Sequence, residues 1–197
     1  MSKTTIPTGG LADSAVTSAK ITDATIASGD LADDAVTAAK IADAVGLGKI
    51  LQAQSTSSTS RTVVSASTFT GCGLSDTITC ATTSSKVLVI VSAEFDNDSN
   101  NASVTNTHAI FQLTRNHSGI SETEIYQVRE GHNRPENSGM DMIFIGNLAI
   151  IFLDSPSTTN ELTYTLNVKN DPSTSGTQIP ANNGESHKAM TLIEVGA

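Results

Sequence analysis

Branched apolar residues fall at Ile6, Leu11, Val16, Ile21, Ile26, Leu31, Val36 and Ile41, a strict step of five, and Ala, Asp, Ser, Thr and Gly occupy nearly every position between them. A longer repeat of twenty overlies the short one. Leu11-Ala12-Asp13-Ser14-Ala15-Val16-Thr17-Ser18-Ala19-Lys20-Ile21 returns as Leu31-Ala32-Asp33-Asp34-Ala35-Val36-Thr37-Ala38-Ala39-Lys40-Ile41, with nine of eleven positions identical. A step of five suits neither regular element: on a helix it turns by about 500°, so an apolar stripe drifts by roughly 140° per unit, and on a flat strand it alternates faces. It suits a chain that bends once per unit. Pentapeptide-type solenoids do this, but coils this few bury too little to stand alone. Three chains wound about a shared axis solve the problem, because each presents one apolar side chain per unit while small residues permit close approach. Two other readings stay open: a pair of short Ala-rich helices, with Asp30 or Ser28 capping Asp33 to Val45, and a segment ordered only on assembly. None includes a catalytic surface.

Gly46-Leu47-Gly48 ends the repeat, dividing the chain into an arm over 1–46 and a second domain over 47–197. The second part reads as strands between turn clusters: Lys49 to Ser55, Arg61 to Ser65, Leu74 to Cys80, Lys86 to Phe95, His108 to Arg115, Glu122 to Val128, Met140 to Leu153, Leu162 to Val168 and Lys188 to Val195. That many short strands predict an all-β fold, an antiparallel, jelly-roll-like β-sandwich. Val87 to Val91, Ile143 to Ile145 and Leu148 to Leu153 are continuously apolar, which predicts cover on both faces, by the opposite sheet inside and by neighbouring subunits outside. Asp96 to Asn101, Asp154 to Ser157 and Asn170 to Ser173 are predicted loops. Glu130 to Met140 and Asp171 to Lys188 are the longest irregular stretches and the first places to look for a ligand.

The formal charge of −9 opposes any surface that must approach phosphates, so no nucleic-acid partner is expected. No stretch reaches the roughly 18 to 20 apolar residues that span a bilayer, and Met1 to Pro7 lacks an apolar signal region, so neither membrane insertion nor cleaved export is expected. Cys72 and Cys80 have no further ligands at zinc-like spacing and are expected as unpaired thiols. No Gly-x-Ser-x-Gly elbow, P-loop or His-Glu-x-x-His pattern occurs. His108, His117, His132 and His187 are scattered. Glu122, Glu124, Glu130 and Glu136 with Asp141 could suggest a glycosidase pair, but nothing fixes the separation such chemistry needs, and solvated strand and loop edges explain them. The sequons at Asn97, Asn101 and Asn116 match by composition alone. The sequence therefore predicts no enzyme, with no catalytic, cofactor-binding or metal-binding residue.

Gly48-Lys49-Ile50-Leu51-Gln52, Ser84 to Ser92, Phe111 to Arg115, Phe152 to Thr159, Tyr164-Thr165-Leu166 and Met190 to Val195 together resemble a β-sandwich domain common in tail-fibre-like and virion-surface proteins of phages. The Ala-Val-Thr-x-Ala-Lys-Ile repeat is similar to shafts found ahead of such domains. The resemblance implies a homotrimeric virion component assembled in the host cytoplasm. One form is a capsid decoration or cement protein, or short head fibre, partnered by the major capsid protein. The other is a tail-fibre or receptor-binding module, joined to a tail or adaptor protein and recognising host surface polysaccharide.

Overall fold

Each pentad between Pro7 and Ala35 closes one tight turn. Backbone N–H groups of Gly10, Ala15, Lys20, Thr25, Asp30 and Ala35 donate to the carbonyls of Pro7, Ala12, Thr17, Thr22, Ala27 and Ala32, three residues back, at 2.8–3.2 Å. The computed structural model describes residues 7, 9–33, 35–37, 50–99, 106–118, 120–133, 142–171, 176–181 and 186–196. Two kinds of turn share the ladder. Gly9, Ser14 and Ala24 sit third in their turns with φ of +90°, +62° and +63°, as a type II turn requires. Ser18–Lys20 and Ser28–Asp30 form single 3-10 turns instead. No α-helix occurs among the described residues. The alternative helix over Asp33 to Val45 meets a turn at Ala32 to Ala35, and residues 38–45 lie outside the described set. The bend wins because one apolar side chain per five residues gives a helix no continuous stripe to bury.

The chain separates into two units, Met1–Leu47 and Gly48–Ala197. The second carries β1 (Ile50–Ser58), β2 (Thr62–Val64), β3 (Thr70–Thr79), β4 (Lys86–Ser99), β5 (Asn106–His117), β6 (Ile120–Asn133), β7 (Met142–Asp154), β8 (Glu161–Asn170), β9 (Gly176–Ile179) and β10 (Lys188–Val195). One sheet runs β1-β10-β4-β7, and the other runs β3-β8-β5-β6, all antiparallel. Successive long strands alternate between sheets except at the β5-β6 hairpin. That order is a jelly roll. The short β9 pairs with Asp96–Asp98 of β4 and with β2, extending the first sheet beyond the end of β10.

Alternation along the strands builds the core between the sheets. Val87, Val89, Val91 and Phe95 of β4, Leu148 and Ile150 of β7, and Met190 and Leu192 of β10 face Leu74, Phe111, Leu113, Leu162, Leu166 and Val168. The Phe95 and Phe111 rings meet edge to face, 4.9 Å between centroids.

Three local expectations change. Asp96 to Ser99 continue β4 rather than opening a loop, because ladder bonds to β7 on one side and β9 on the other override the turn preference of Asp and Asn. Glu130 to Asn133 belong to β6, paired with Asn106 to Ala109. β9 lies inside the stretch read as irregular, where four residues carry too little pattern to signal a strand. Residues 100–101, 134–141, 172–175 and 182–185 lie outside the described set.

Candidate functional site

The outward face of the β1-β10-β4-β7 sheet carries an extended patch without charge. Register places its residues in rows: Ala53, Ile193, Leu88 and Leu153; then Ser55, Thr191, Ile90 and Ile151; then Ser57, Ala189, Ser92 and Ala149. None of the twelve is charged. Lys86 and Glu94 of β4 bracket the grid at its two ends. Farther along β7 the same face carries Ile145 and Ile143. Ile151 is 73% exposed, Ile143 61% and Ile145 58%. β7 is the outer strand here, hydrogen-bonded to β4, and from Met142 to Leu153 it has no charged residue. Sheet edges ordinarily carry charge or proline that discourages pairing.

The opposite outer face, on β3-β8-β5-β6, has another character. Asn167 Nδ2 donates to Thr114 Oγ1 and to Glu122 Oε1, each at 3.1 Å, and the Thr114 hydroxyl also donates to Glu122. Gln112 Nε2 donates to Glu124 Oε2 at 2.6 Å. Glu122 and Glu124 are thus satisfied acceptors on a polar face, each held by its own neighbours. Glu130 lies farther along β6, and Glu136 and Asp141 lie outside the described residues.

Ionisable groups inside the sandwich serve to join its sheets. Asp154, ending β7, takes Arg115 Nη1 at 2.7 and 2.6 Å, the Tyr164 hydroxyl at 2.7 Å and the Ser155 N–H at 2.8 Å. Burial, then the bond to Asp154, pushes the Tyr164 hydroxyl well above its ordinary pKa. Lys188, 1% exposed, donates its ammonium to Thr62 Oγ1 and to the carbonyls of Cys72 and Ile179. Gly73, at φ +71°, leaves room for it, since a Cβ there would stand 3.4 Å from Lys188 Nζ. Burial lowers the Lys188 pKa. Burial also pushes the Cys72 thiol up to about 11, with Lys188 pulling the other way. Cys80 is raised by burial and by the Glu194 and Asp154 carboxylates. Both cysteines are buried and free. Glu194 is fully buried. Burial pushes its carboxyl up, but hydrogen bonds from Gln52, Ser85 and the Ala81 N–H outweigh that and hold it below the usual range.

The four histidines are not gathered. His108 is buried with Nδ1 3.1 Å from Arg129 Nη2, while His117 and His187 stand elsewhere on the surface and His132 is on β6. Among the described residues no group of three or more His, Cys, Asp or Glu could hold a metal ion. Asn97, the first residue of a sequon, is fully buried, with Oδ1 2.9 Å from Thr177 Oγ1. The apolar runs of β4 and β7 were expected to be covered on both faces, and within one chain only the inner face is covered. Alternation of Ile143, Ile145, Ile151 and Leu153 on β7 carries the signal for the open face, hidden in sequence by apolar residues at the intervening inward positions.

No protein-family model and no curated protein matches the chain. Among solved structures, Eiger TNF from S. frugiperda aligns at 11% identity and TM-score 0.28, covering 55% of this chain and 59% of that one. The T13 viral particle of infectious bursal disease virus aligns at 12% identity and TM-score 0.29, covering 75% and 40%. The VP2 subviral particle of the same virus aligns at 10% and 0.30, covering 74% and 38%. The chain thus spans less than two thirds of the length of each.

Proposed function

We propose that this chain is a structural subunit of a bacteriophage particle that works by assembly and not by catalysis. In this reading three copies join through the pentad segment, and the sandwiches decorate the capsid surface as a cement protein or short head fibre against the major capsid protein. The observation that carries it is the pentad ladder. Its turns are regular, yet Leu11, Val16, Ile21, Ile26, Leu31 and Val36 are each 42–53% exposed, and no described residue of 7–37 is buried. Covering the exposed half of each such side chain is worth about 1 kcal/mol, so six of them give roughly 6 kcal/mol per copy. A segment with no core of its own gains that only from partners, and identical copies offer the same step of five.

The polar face bearing Gln112, Asn167, Glu122 and Glu124 supports a second reading, a receptor-binding module that hydrogen-bonds host glycan. Two measurements test the proposal. Light scattering on the full chain should give three times its 20.4 kDa, and the substitutions Val16→Asp and Ile26→Asp together should abolish that species. Density for the chain should then be found on capsomers in a reconstructed particle. A folded monomer at micromolar concentration refutes the assembly claim, and density at the tail with glycan binding replaces decoration by adsorption.

A further inference from the structure

Joining copies through the pentad segment alone leaves the outward sheet face of each sandwich uncovered. We infer that the outward face of the β1-β10-β4-β7 sheet is a self-contact, packed in the assembled protein against sister copies of this chain. The inference rests on the proposed oligomer and extends it from the pentad segment to the sandwich.

Charge selects the occupant. Copies of a chain with net charge −9 repel one another wherever acidic surfaces meet. The β3-β8-β5-β6 face carries Glu122, Glu124 and Glu161 beside Lys169 and Arg129, so two copies meeting there would have to bury charge. The twelve-residue grid around Ile90 and Ile151 carries no charge, with Lys86 and Glu94 at its ends, so it is the sheet face on which two such copies can approach. A contact core depleted of charge inside a polar rim is the usual interface pattern.

Area decides how the contact forms. With about 4.8 Å between strands and about 6.7 Å between successive residues on one face, four strands by three rows cover roughly 400 Å². That matches the size of apolar patch that serves an interaction, but falls short of the roughly 800 Å² per partner of a free-standing complex. Such a face does not dimerise on its own. It closes when copies are already tethered, where the effective concentration of a sister sandwich reaches about the millimolar range.

The test reads accessibility at the face in the full chain. The variants Ile151→Cys and, separately, Leu153→Cys replace outward side chains, and Thr77→Cys, exposed on β3, is the control on the polar face. The native Cys72 and Cys80 are buried. Labelling by a charged maleimide is followed in the trimer and after Val16→Asp with Ile26→Asp has dispersed it. The expected result is labelling of Cys introduced at 151 and 153 at least about tenfold slower than the control in the trimer, and equal to it in the dispersed chain. Equal rates in an intact trimer overturn the self-contact while leaving the oligomer standing. Protection that appears only on the particle overturns it in favour of the capsid protein as occupant. A wild-type chain that is monomeric removes both readings together.

Discussion

Substituting Asp154 by Ala should cost the sandwich about 3 kcal/mol, because this carboxylate at the end of β7 gathers the side-chain donors Arg115 and Tyr164 from the opposite sheet. Tyr164 on β8 is fully buried, and without Asp154 its hydroxyl keeps no acceptor among its described bonds, a loss of about 1–3 kcal/mol. The Arg115 side chain is 19% exposed, so it reaches water in part, and its share is discounted to about 1 kcal/mol rather than the larger cost of stranding a fully buried charge. The Ser155 N–H adds a smaller amount. For a unit of this size, about 2–4 °C of Tm accompanies each kcal/mol, which places the expected fall near 6–12 °C. Asp154→Asn keeps an acceptor and the shape while removing the charge, and should cost about half as much. Urea unfolding followed by tyrosine fluorescence suits the measurement, since the chain has two tyrosines and no tryptophan. Pairing Asp154→Ala with Arg115→Met in a double-mutant cycle isolates the ion pair, with an expected coupling of about 1 kcal/mol. An Asp154→Ala protein within about 1 kcal/mol of the parent, at unchanged denaturant slope, would refute the idea that this cluster ties the sheets together.

Glu194 makes stability depend on acid. Its pKa is depressed in the folded protein, so its contribution is present above the ordinary carboxylate pKa and is lost as pH falls through the lower folded value. Glu194→Gln should weaken the protein by about 1–3 kcal/mol at pH 7 and flatten the acid limb of stability against pH. An unchanged acid limb in the variant would count against the assignment. In the pentad segment, Ser14 and Ala24 hold left-handed φ values that favour glycine, so Ser14→Gly and Ala24→Gly should each raise the stability of the assembled segment by up to about 1 kcal/mol. Thermal dissociation of the trimer measures it, and a clear drop at both positions would show that these turns take another form.

Much of the fold is legible in the residues. A step of five in the arm forbids a helix stripe and calls for one bend per unit, and the turns at Pro7 to Gly10, Ala12 to Ala15 and onward follow that step. Nine strands with turn residues between them indicate an antiparallel sandwich, since strand alternation and turn chemistry are local properties. The extra length of β4 escapes such reading because Asp96, Asn97 and Asp98 favour turns until two neighbouring strands claim their backbone groups, and β9 escapes it because four residues carry too little pattern.

What the residues alone could not decide is which side of each apolar run faces inward and what surrounds each charge. Ile150 and Ile151 look alike in sequence, yet one is buried and the other is the most open large apolar side chain among the described residues of the sheet. Strand register sets that difference, and register depends on partners far along the chain. The same holds for Lys188, Glu194 and Asp154, whose burial no local pattern gives away. The fold brings Cys72, Ala81 and Arg115, all distant in sequence, to them, and burial beside those partners turns solvated charges into the joints of a sandwich.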